Sequence, residues 1–329
     1  MSQMRLNPLN GRWVTIVAER AERPSDFAPR ESSIDEDTSR PCPFCPGNEE
    51  ATPPALETVE ADGNWSMRVV PNRYPAFAGN DPFAVHNLGP VHIVAHASGI
   101  HEVFVYTPDH DSGLDRLDDD HAAQLMRVLR DRFIDHARTP NVRYTQAIVN
   151  HGREAGASIA HPHGQILGLP FVPGEILDEE RAFTRFAGGC VLCTTVEAEL
   201  AADERVLFAN DDVAVICPYW SGAPYEMLIV PRHHEPHLQD APDTSLSAVG
   251  IAVRDALGHL NAALGDVAFN LGFHTAPHRH TGQYHWHVHV WPNLVTQAGF
   301  ERGTGVMINI VPPEQACDAL RAVGAHAAP

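Results

Sequence analysis

The sequence is poor in basic residues. Its 329 residues include 23 Lys and Arg against 42 Asp and Glu, which gives a formal net charge of −19 at pH 7. A chain of this charge repels phosphate backbones overall, so we expect no nucleic acid among its partners. A small phosphorylated ligand is compatible with the charge, because local groups and metals decide such binding.

Long apolar runs are missing as well. No stretch approaches the roughly 20 apolar residues of a membrane span, and the first residues lack the basic-then-apolar layout of a signal peptide. The content of 43% hydrophobic and 20% charged residues is typical of a globular protein. We therefore expect a cytoplasmic protein with no membrane partner.

Only six cysteines are present, and four of them form two Cys-x-x-Cys pairs. In a cytosolic protein such pairs indicate metal or redox sites rather than structural disulfides. The pairs are Cys42/Cys45 in "PCPFCPGN" and Cys190/Cys193 in "GGCVLCTT". The remaining two, Cys217 and Cys317, are expected to be buried apolar residues.

A repeat in the spacing relates the two halves of the chain. Each half has a Cys-x-x-Cys pair, an apolar run that ends in a histidine, a helical stretch and a histidine-rich strand. An offset of 124 residues (234 − 110 and 285 − 161) maps His110 to His234 and His161 to His285. The same offset maps the apolar helical stripe Leu125, Leu129, Phe133 onto Val249, Val253, Leu257. The sequence therefore predicts a duplicated unit in tandem.

The predicted fold class is α+β, with two tandem units that each contain an antiparallel sheet and flanking helices. We place the units at residues 1–178 and 179–329, joined near "PFVPGEILDEERAFTRFAGG", and expect a polar loop around residues 31–40. The predicted strands are "SMRVV", "EVFVY" and "TQAIVN" in the first unit, and "RVLFA", "DVAVI", "EMLIV" and "HWHVHVW" in the second.

Each unit offers two cysteines and two histidines, the donor set of a tetrahedral zinc site. The alternative is a redox pair or buried cysteines with surface histidines, but the recurrence of the same order in both units favours metal. The predicted ligands are Cys42, Cys45, His110 and His161 in the first site, and Cys190, Cys193, His234 and His285 in the second.

The metal assignment of His161 suggests a role for the rest of the segment "HPHGQ". On an extended segment His161, His163 and Gln165 share a face. If His161 binds metal, His163 is left as a neutral imidazole, which is a competent nucleophile toward phosphorus. Gln165 can donate an amide hydrogen to a phosphoryl oxygen without acting as an acid, and Ser158 with the backbone of "GAS" adds further donors. The alternative makes His163 a structural histidine.

Together with "PCPFCPGNE", "PNRYPAF", "TPDH" and "GREAGAS", the segment "HPHGQ" resembles the galactose-1-phosphate uridylyltransferase family of the histidine-triad superfamily. The opening "LNPLNGRWVTIVAERAERP" and the late "GFERGTGVMIN" are similar to the terminal segments of that family. The resemblance covers nearly the whole chain. It implies a catalytic histidine-triad-like domain at 1–178 and a second histidine-triad-like domain at 179–329.

The resemblance implies a UDP-glucose–hexose-1-phosphate uridylyltransferase of galactose metabolism, acting as a homodimer on a nucleotide sugar and a sugar phosphate. In this reaction His163 attacks the α-phosphorus of UDP-glucose, and galactose-1-phosphate takes the uridylyl group from the histidine. A glutamine at position 165, where hydrolytic relatives carry a histidine, cannot shuttle protons to water. The substrate contacts implied by the resemblance are Arg20, Arg23, Asn72, Asn150, Gly156, Phe300 and Asn309.

Two departures leave alternatives open. Some family members hold the second metal with a glutamate and three histidines, which Glu179, His274, His287 and His289 would match. The pair Cys190/Cys193 favours the cysteine set. We expect zinc at both sites, and the second site could hold iron. Gly299 stands before Phe300 where the family often has a lysine, and the "GTG" at 303–305 resembles ADP-glucose phosphorylases. An adenylyl-transferring ADP-sugar phosphorylase using His163, or a non-catalytic zinc-stabilised nucleotide-binding protein, is therefore the alternative. Base, acceptor and oligomeric state stay open.

Overall fold

The computed structural model describes residues 2–19, 34 and 41–324. Among these residues, the first half contains nine strands and one α-helix, α1, at Asp119–Arg138. The strands are β1 (Gln3–Leu6), β2 (Trp13–Ile16), β3 (Glu57–Ala61), β4 (Asn64–Pro71), β5 (Val85–Asn87), β6 (Ile93–Ala95), β7 (Ile100–Val105), β8 (Tyr144–His151) and β9 (His163–Leu169).

The second half contains the remaining α-helices and strands of the described residues. The helices are α2 (Gly174–Arg185), α3 (Val191–Ala202), α4 (Asp243–Leu264), α5 (Gly299–Thr304) and α6 (Pro313–Val323). The strands are β10 (Val206–Ala209), β11 (Val213–Ile216), β12 (Met227–Pro231), β13 (Phe269–His274), β14 (His287–Pro292) and β15 (Met307–Asn309). Each of the seven strands predicted from the sequence is present, and the segment predicted to join the units contains α2.

The two units share one sheet. Ten strands lie in the order β10-β11-β12-β14-β13-β8-β9-β7-β4-β3, with every pairing antiparallel. The pair β13–β8 at the centre joins five strands of one unit to five of the other. The offset of 124 residues brings β8 onto β13 and β9 onto β14, so the repeat read from the sequence is a structural repeat.

Helices α1 and α4 cover one face of this sheet and pack against each other. Asp118 caps α1 by accepting a hydrogen bond from the backbone N–H of His121 at 2.7 Å. The predicted stripes on both helices are buried. Gly250 of α4 lets the helices approach closely, because a Cβ there would lie 2.3 Å from the carbonyl oxygen of Ala122. The main hydrophobic core lies between these helices and the sheet.

The opposite face of the sheet is partly covered by α2, α3 and a small sheet made of β1, β2 and β15. β15 pairs in parallel with β2, and β2 pairs with β1, which forms a separate three-stranded sheet. This arrangement brings the segment around residues 7–14 beside the segment 295–308.

None of the helices in the described part of the chain combines the length and the apolar composition that a membrane span requires.

Some predictions fall on residues that the structure does not describe. Arg20 and Arg23 lie outside the described residues, as does the predicted loop at 31–40 apart from Ile34. The domain boundary near residue 178 stays a prediction, because the central pair β13–β8 makes the two units continuous in the sheet.

Candidate active site and metal centres

His163 and Gln165 lie at the start of β9, on the partly covered face of the sheet opposite α1 and α4, which we call the open face. The strand begins at His163, so the expected single face holds for His163 and Gln165, whereas His161 lies in the bend before the strand. The Nδ1–H of His163 donates to the carbonyl oxygen of His161 at 2.9 Å. This bond fixes the tautomer and leaves the lone pair of Nε2 for chemistry. Burial lowers the pKa of His163, which favours the neutral ring.

Gly156 and Ser158, which the sequence predicts near the substrate, follow the end of β8. After His151 the chain makes a short 3₁₀ turn at Arg153–Ala155, and Gly156 closes it with a φ of 90°, a left-handed conformation that favours glycine. Ser158 and Gly156 are exposed there. The open turn is suited to contact with a ligand.

A series of hydrogen-bonded asparagine side chains holds this turn. Asn270 of β13 donates through Nδ2 to Oδ1 of Asn150 at 2.7 Å and to the carbonyl oxygen of Ala155 at 2.9 Å. Asn293 donates to Oδ1 of Asn270 at 2.7 Å. Because Oδ1 of Asn150 is engaged, its N–H groups are the ones left to face a ligand.

The first predicted metal set is assembled. The Sγ of Cys45 lies 3.2 Å from Nδ1 of His110 and 3.5 Å from Nδ1 of His161, and Cys42 completes the cluster. Tetrahedral zinc with bonds of about 2.3 Å to sulfur and about 2.0 Å to nitrogen separates S and N by about 3.6 Å. His161 donates its Nε2–H to the carbonyl oxygen of Thr107 at 2.9 Å, which directs the Nδ1 lone pair inward. The residues fit a zinc ion.

The second predicted set is assembled in the same way. Nδ1 of His285 lies 3.5 Å from Sγ of Cys190 and 3.4 Å from Sγ of Cys193, and Nδ1 of His234 lies 3.8 Å from Sγ of Cys193. A hydrogen bond from the Cys193 thiol holds the pKa of Cys190 far below its usual value. A thiolate beside a neutral imidazole is the state that binds zinc.

The Glu/His set is assembled too, so the two sets are not alternatives. Glu179, His274, His287 and His289 are all buried and share no residue with the cysteine set. Nδ1 of His274 lies 2.9 Å from Oε1 of Glu179, and the Nε2 atoms of His287 and His289 lie 3.1 Å apart. Burial lowers the pKa of His287 to about 4, so its ring is neutral and can bind a metal. The structure thus presents three donor clusters where two metal sites were expected.

Position by position, this third cluster is the counterpart of the active site. The offset of 124 maps Asn150, His163 and Gln165 onto His274, His287 and His289. His287 donates its Nδ1–H to the carbonyl oxygen of His285 at 2.8 Å, as His163 does to His161. Its Nε2 faces the other ligands instead of an open surface. The second unit therefore has the geometry of a binding copy rather than of a second catalytic centre.

A cavity of about 850 Å³ opens on the same face, beside Asn150. His163 does not line it; Asn150, Glu154, Asn270, Trp291 and Arg302 do. Since Asn150 and Gln165 lie on one face of adjacent strands, the cavity adjoins the candidate catalytic residues. A volume of this size suits a ligand of several rings and phosphates.

The other expected substrate contacts are placed as follows. Asn72 lies at the end of β4 with its Nδ2 3.2 Å from the ring of His101. Phe300, in α5, is 50% exposed. Asn309 is fully buried: its amide donates to the carbonyl oxygens of Ser221 and Ala223 and accepts from the backbone N–H of Val311. Asn309 therefore holds the 221–223 segment, and we do not retain it as a substrate contact.

Sequence reasoning missed His101 and Asn270, which touch Gln165 and Asn150 respectively. Asn270 contacts the turn at Arg153–Ala155 across the junction of the two units, and no local spacing in the sequence indicates this contact. His101 lies in "GIHEV" before the predicted strand, and only the pairing of β7 with β9 brings it to Gln165.

Comparison with known proteins agrees with this geometry. The family described as galactose-1-phosphate uridyl transferase matches with its N-terminal domain over residues 1–173 and with its C-terminal domain over residues 177–319. An ADP-glucose phosphorylase from Arabidopsis thaliana is 30% identical over 331 residues, which cover 98% of this chain and 93% of that protein. A galactose-1-phosphate uridylyltransferase from Thermotoga maritima is 27% identical, with 98% of each chain covered.

Solved structures give the same picture. An ADP-glucose phosphorylase from Arabidopsis thaliana with bound ADP-glucose has a TM-score of 0.84 and 27% identity, and the match covers 98% of this chain and 99% of that chain. The similarity of this chain to these proteins, in sequence and in fold, therefore covers both units.

Proposed function

Because the chain belongs to the galactose-1-phosphate uridyl transferase family, and is therefore a nucleotidyl transferase, we propose that it moves a nucleoside monophosphate from a nucleotide glucose to a phosphate-bearing acceptor through His163. The observation that carries this proposal is the hydrogen bond from Nδ1 of His163 to the carbonyl oxygen of His161, which leaves Nε2 as a free nucleophile on the open face. Gln165 stands next to it on the same strand face.

In the first step Nε2 of His163 attacks the α-phosphorus, a P–N bond forms, and the bond from the α-phosphorus to the bridging oxygen breaks. Glucose-1-phosphate leaves with that oxygen and its electron pair. In the second step an oxygen of the acceptor phosphate attacks the same phosphorus and the P–N bond breaks, which restores His163. Splitting one displacement into two in this way is the ordinary advantage of covalent catalysis.

Charge that develops on the phosphoryl oxygens needs fixed donors. We assign this role to the N–H groups of Gln165 and Asn150 and to the hydroxyl of Ser158. None of these groups is a strong proton donor or acceptor, so water gains little assistance at the nucleotidyl-histidine. The intermediate can then wait for the acceptor, as a transferase requires.

We propose ADP-glucose as the donor in preference to UDP-glucose, which the sequence motifs had placed first. The support is the relative at 30% identity and the solved structure with a TM-score of 0.84, both of which are ADP-glucose phosphorylases. The same comparison favours inorganic phosphate as the acceptor, with ADP as the product.

The composition points the same way. The sequence contains no lysine at all. The lysine that often precedes the C-terminal Phe in this family, where it serves the sugar phosphate, therefore has no replacement by another lysine elsewhere in this chain. Only arginines, such as Arg302 on the cavity wall, supply fixed cations. The chain therefore lacks the partner that the family often provides for a hexose-1-phosphate.

UDP-glucose with a hexose-1-phosphate acceptor is the second candidate. It is favoured by the family match over both units and by the uridylyltransferase from Thermotoga maritima, which matches over 98% of its own length. The proposed catalytic residues and steps are the same for both candidates.

Three sets of residues would hold metal ions. We propose zinc in the two Cys/His sets, where it would tie the loop 42–45 and the start of α3 to the histidine-bearing segments, and zinc or iron in the Glu/His set. The ion at the first set would act structurally, by fixing His161 and thereby the carbonyl oxygen that orients His163. Phe44, between the two cysteines, packs against the His163 ring at 5.2 Å between ring centres.

The proposal is tested by the intact mass of the protein after mixing with ADP-glucose or UDP-glucose, in separate samples and without acceptor. We expect a gain of one AMP with ADP-glucose, lost again on adding phosphate. A gain of one UMP, discharged by galactose-1-phosphate, would select the second candidate instead. If neither sugar labels the wild type, or if His163→Ala is labelled equally, the covalent route is wrong.

A further inference from the structure

A histidine on the neighbouring strand contacts the proposed phosphoryl donor. Nε2 of His101 lies 2.7 Å from Oε1 of Gln165. His101 is on β7, where Val103 pairs directly with Gln165, so His101 lies one diagonal step away on the same face. The contact therefore follows from the register of two central strands.

The tautomer of His101 is set by a backbone group. The N–H of Ala76 donates to Nδ1 of His101 at 3.0 Å. A backbone N–H is only a donor, so Nδ1 carries the lone pair and the proton of the neutral ring resides on Nε2. That Nε2–H needs an acceptor, and Oε1 of Gln165 is the atom it meets.

Asn72 lies beside the same ring nitrogen but does not accept its proton. Its Oδ1 accepts the backbone N–H of Tyr74 at 2.8 Å, which turns its Nδ2 toward His101 at 3.2 Å from Nε2. With the proton on Nε2 these two groups are both donors, so Gln165 is the hydrogen-bond partner of the ring. The backbone N–H of Asn72 also donates to the carbonyl oxygen of His101 at 2.8 Å.

We propose that His101 is a positioning residue, which holds the amide of Gln165 with its oxygen inward and its two N–H groups turned to the phosphoryl oxygens. This inference rests on the proposed function. A glutamine amide can present either end after rotation by half a turn, and its oxygen would repel a phosphoryl oxygen. A fixed donor costs no reorganisation when charge develops, so His101 contributes by preorganisation.

The test measures the single-turnover rate of nucleotidylation by intact mass, using whichever of ADP-glucose and UDP-glucose labels the wild type. His101→Ala should lower this rate about 10- to 100-fold, somewhat less than the 10²–10³ typical of removing a catalytic donor outright. The half-saturating concentration of the nucleotide glucose should change much less than the rate. His101→Gln keeps an N–H near the position of Nε2 and should restore most of the rate, whereas His101→Glu, with acceptors only, should not.

A double-mutant cycle with Gln165→Ala separates positioning from general damage. In the Gln165→Ala background the His101→Ala change should slow the reaction less than about twofold, because the group that it orients is gone. His259→Ala is the matched control, since His259 makes a 2.9 Å ring hydrogen bond to the carbonyl oxygen of Leu320 on the far side of α4. It should leave the rate unchanged.

Two results would overturn the inference: equal slowing by His101→Ala in both backgrounds, or a His101→Gln variant as slow as His101→Ala. Both are distinct from failure of the proposed function, which would appear as absence of labelling in the wild type itself.

Discussion

Asn270 belongs to the second unit but holds the turn at Arg153–Ala155 of the first, beside the proposed catalytic residues, so its replacement by alanine should affect both stability and rate. Its side chain makes three hydrogen bonds, to Asn150, to the carbonyl oxygen of Ala155 and from Asn293, at 2.7 to 2.9 Å. Asn270→Ala removes all three and leaves their partners without this contact. The turn at Arg153–Ala155 is then tied less firmly to the sheet.

The expected magnitude follows from the count of bonds. A net contribution of about 1 kcal/mol for each partly buried hydrogen bond gives a loss of about 3 kcal/mol in the free energy of unfolding. If half of this loss appears as looser positioning of Asn150 and the turn in the transition state, nucleotidylation slows about tenfold, since about 1.4 kcal/mol corresponds to a factor of ten.

Both quantities are measurable on the same variant, by denaturant unfolding and by single-turnover labelling from the nucleotide glucose that labels the wild type. Asn261→Ala is the control, because Asn261 donates to Oδ2 of Asp115 at 2.8 Å from α4, on the helical face of the sheet. It should lose some stability and keep the wild-type rate. An Asn270→Ala protein that is destabilised but labels at the wild-type rate would show that the bridge is structural only.

Other substitutions test the remaining parts of the site. His163→Ala should abolish labelling while keeping the fold and metal content, because His163 belongs to none of the metal-binding sets; residual exchange of labelled glucose-1-phosphate near the wild-type rate would refute its role. Elemental analysis should find about three ions per chain, and Cys42→Ala, Cys190→Ala and Glu179→Ala should each lose one, with Cys42→Ala also lowering thermal stability; a variant that keeps the full metal content would remove its cluster from the proposal. Gln165→His should release free nucleotide from the nucleotide sugar without acceptor, at a rate raised modestly, by no more than the 10²-fold scale of acid–base assistance. If this variant shows no such gain in hydrolysis, proton shuttling at position 165 does not separate transfer from hydrolysis.

The repeat was the part of the fold most accessible from sequence. The offset of 124 residues predicted equivalent helices, and α1 and α4 bury the stripes that it matched, Leu125 and Leu129 in one and Val249 and Val253 in the other. Periodicity identifies such elements because burial of one face imposes it. The Cys-x-x-Cys/His/His order likewise indicated both cysteine clusters, since local pairs and recurring spacing are visible in one dimension.

The joining of the units was not predictable in the same way. Pairing of β8 with β13 uses backbone groups, and backbone groups leave no mark in the side-chain pattern. For the same reason the contacts of Asn270 with Asn150, and of His101 with Gln165, depend on strand order and register. The sequence could not show that the Glu179 set and the Cys190 set coexist, because His285 and His287 are only two residues apart and nothing local assigns them to different clusters. In the fold His285 precedes β14 and meets the cysteines, whereas His287 starts the strand and meets Glu179.

The equivalence of the proposed catalytic residues and the Glu/His set explains why only one unit is suited to the proposed chemistry. The positions of Asn150, His163 and Gln165 recur as His274, His287 and His289, so the backbone that presents the proposed nucleophile in one unit presents proposed metal ligands in the other. The difference comes from α2, which places the buried Glu179 carboxylate against His274, the counterpart of Asn150. β13 carries His274 on the same face as Asn270, four residues apart. A metal held by His274 would therefore fix β13, the strand from which Asn270 holds the turn at Arg153–Ala155. Through this one strand the metal-binding unit would support the unit proposed to be catalytic.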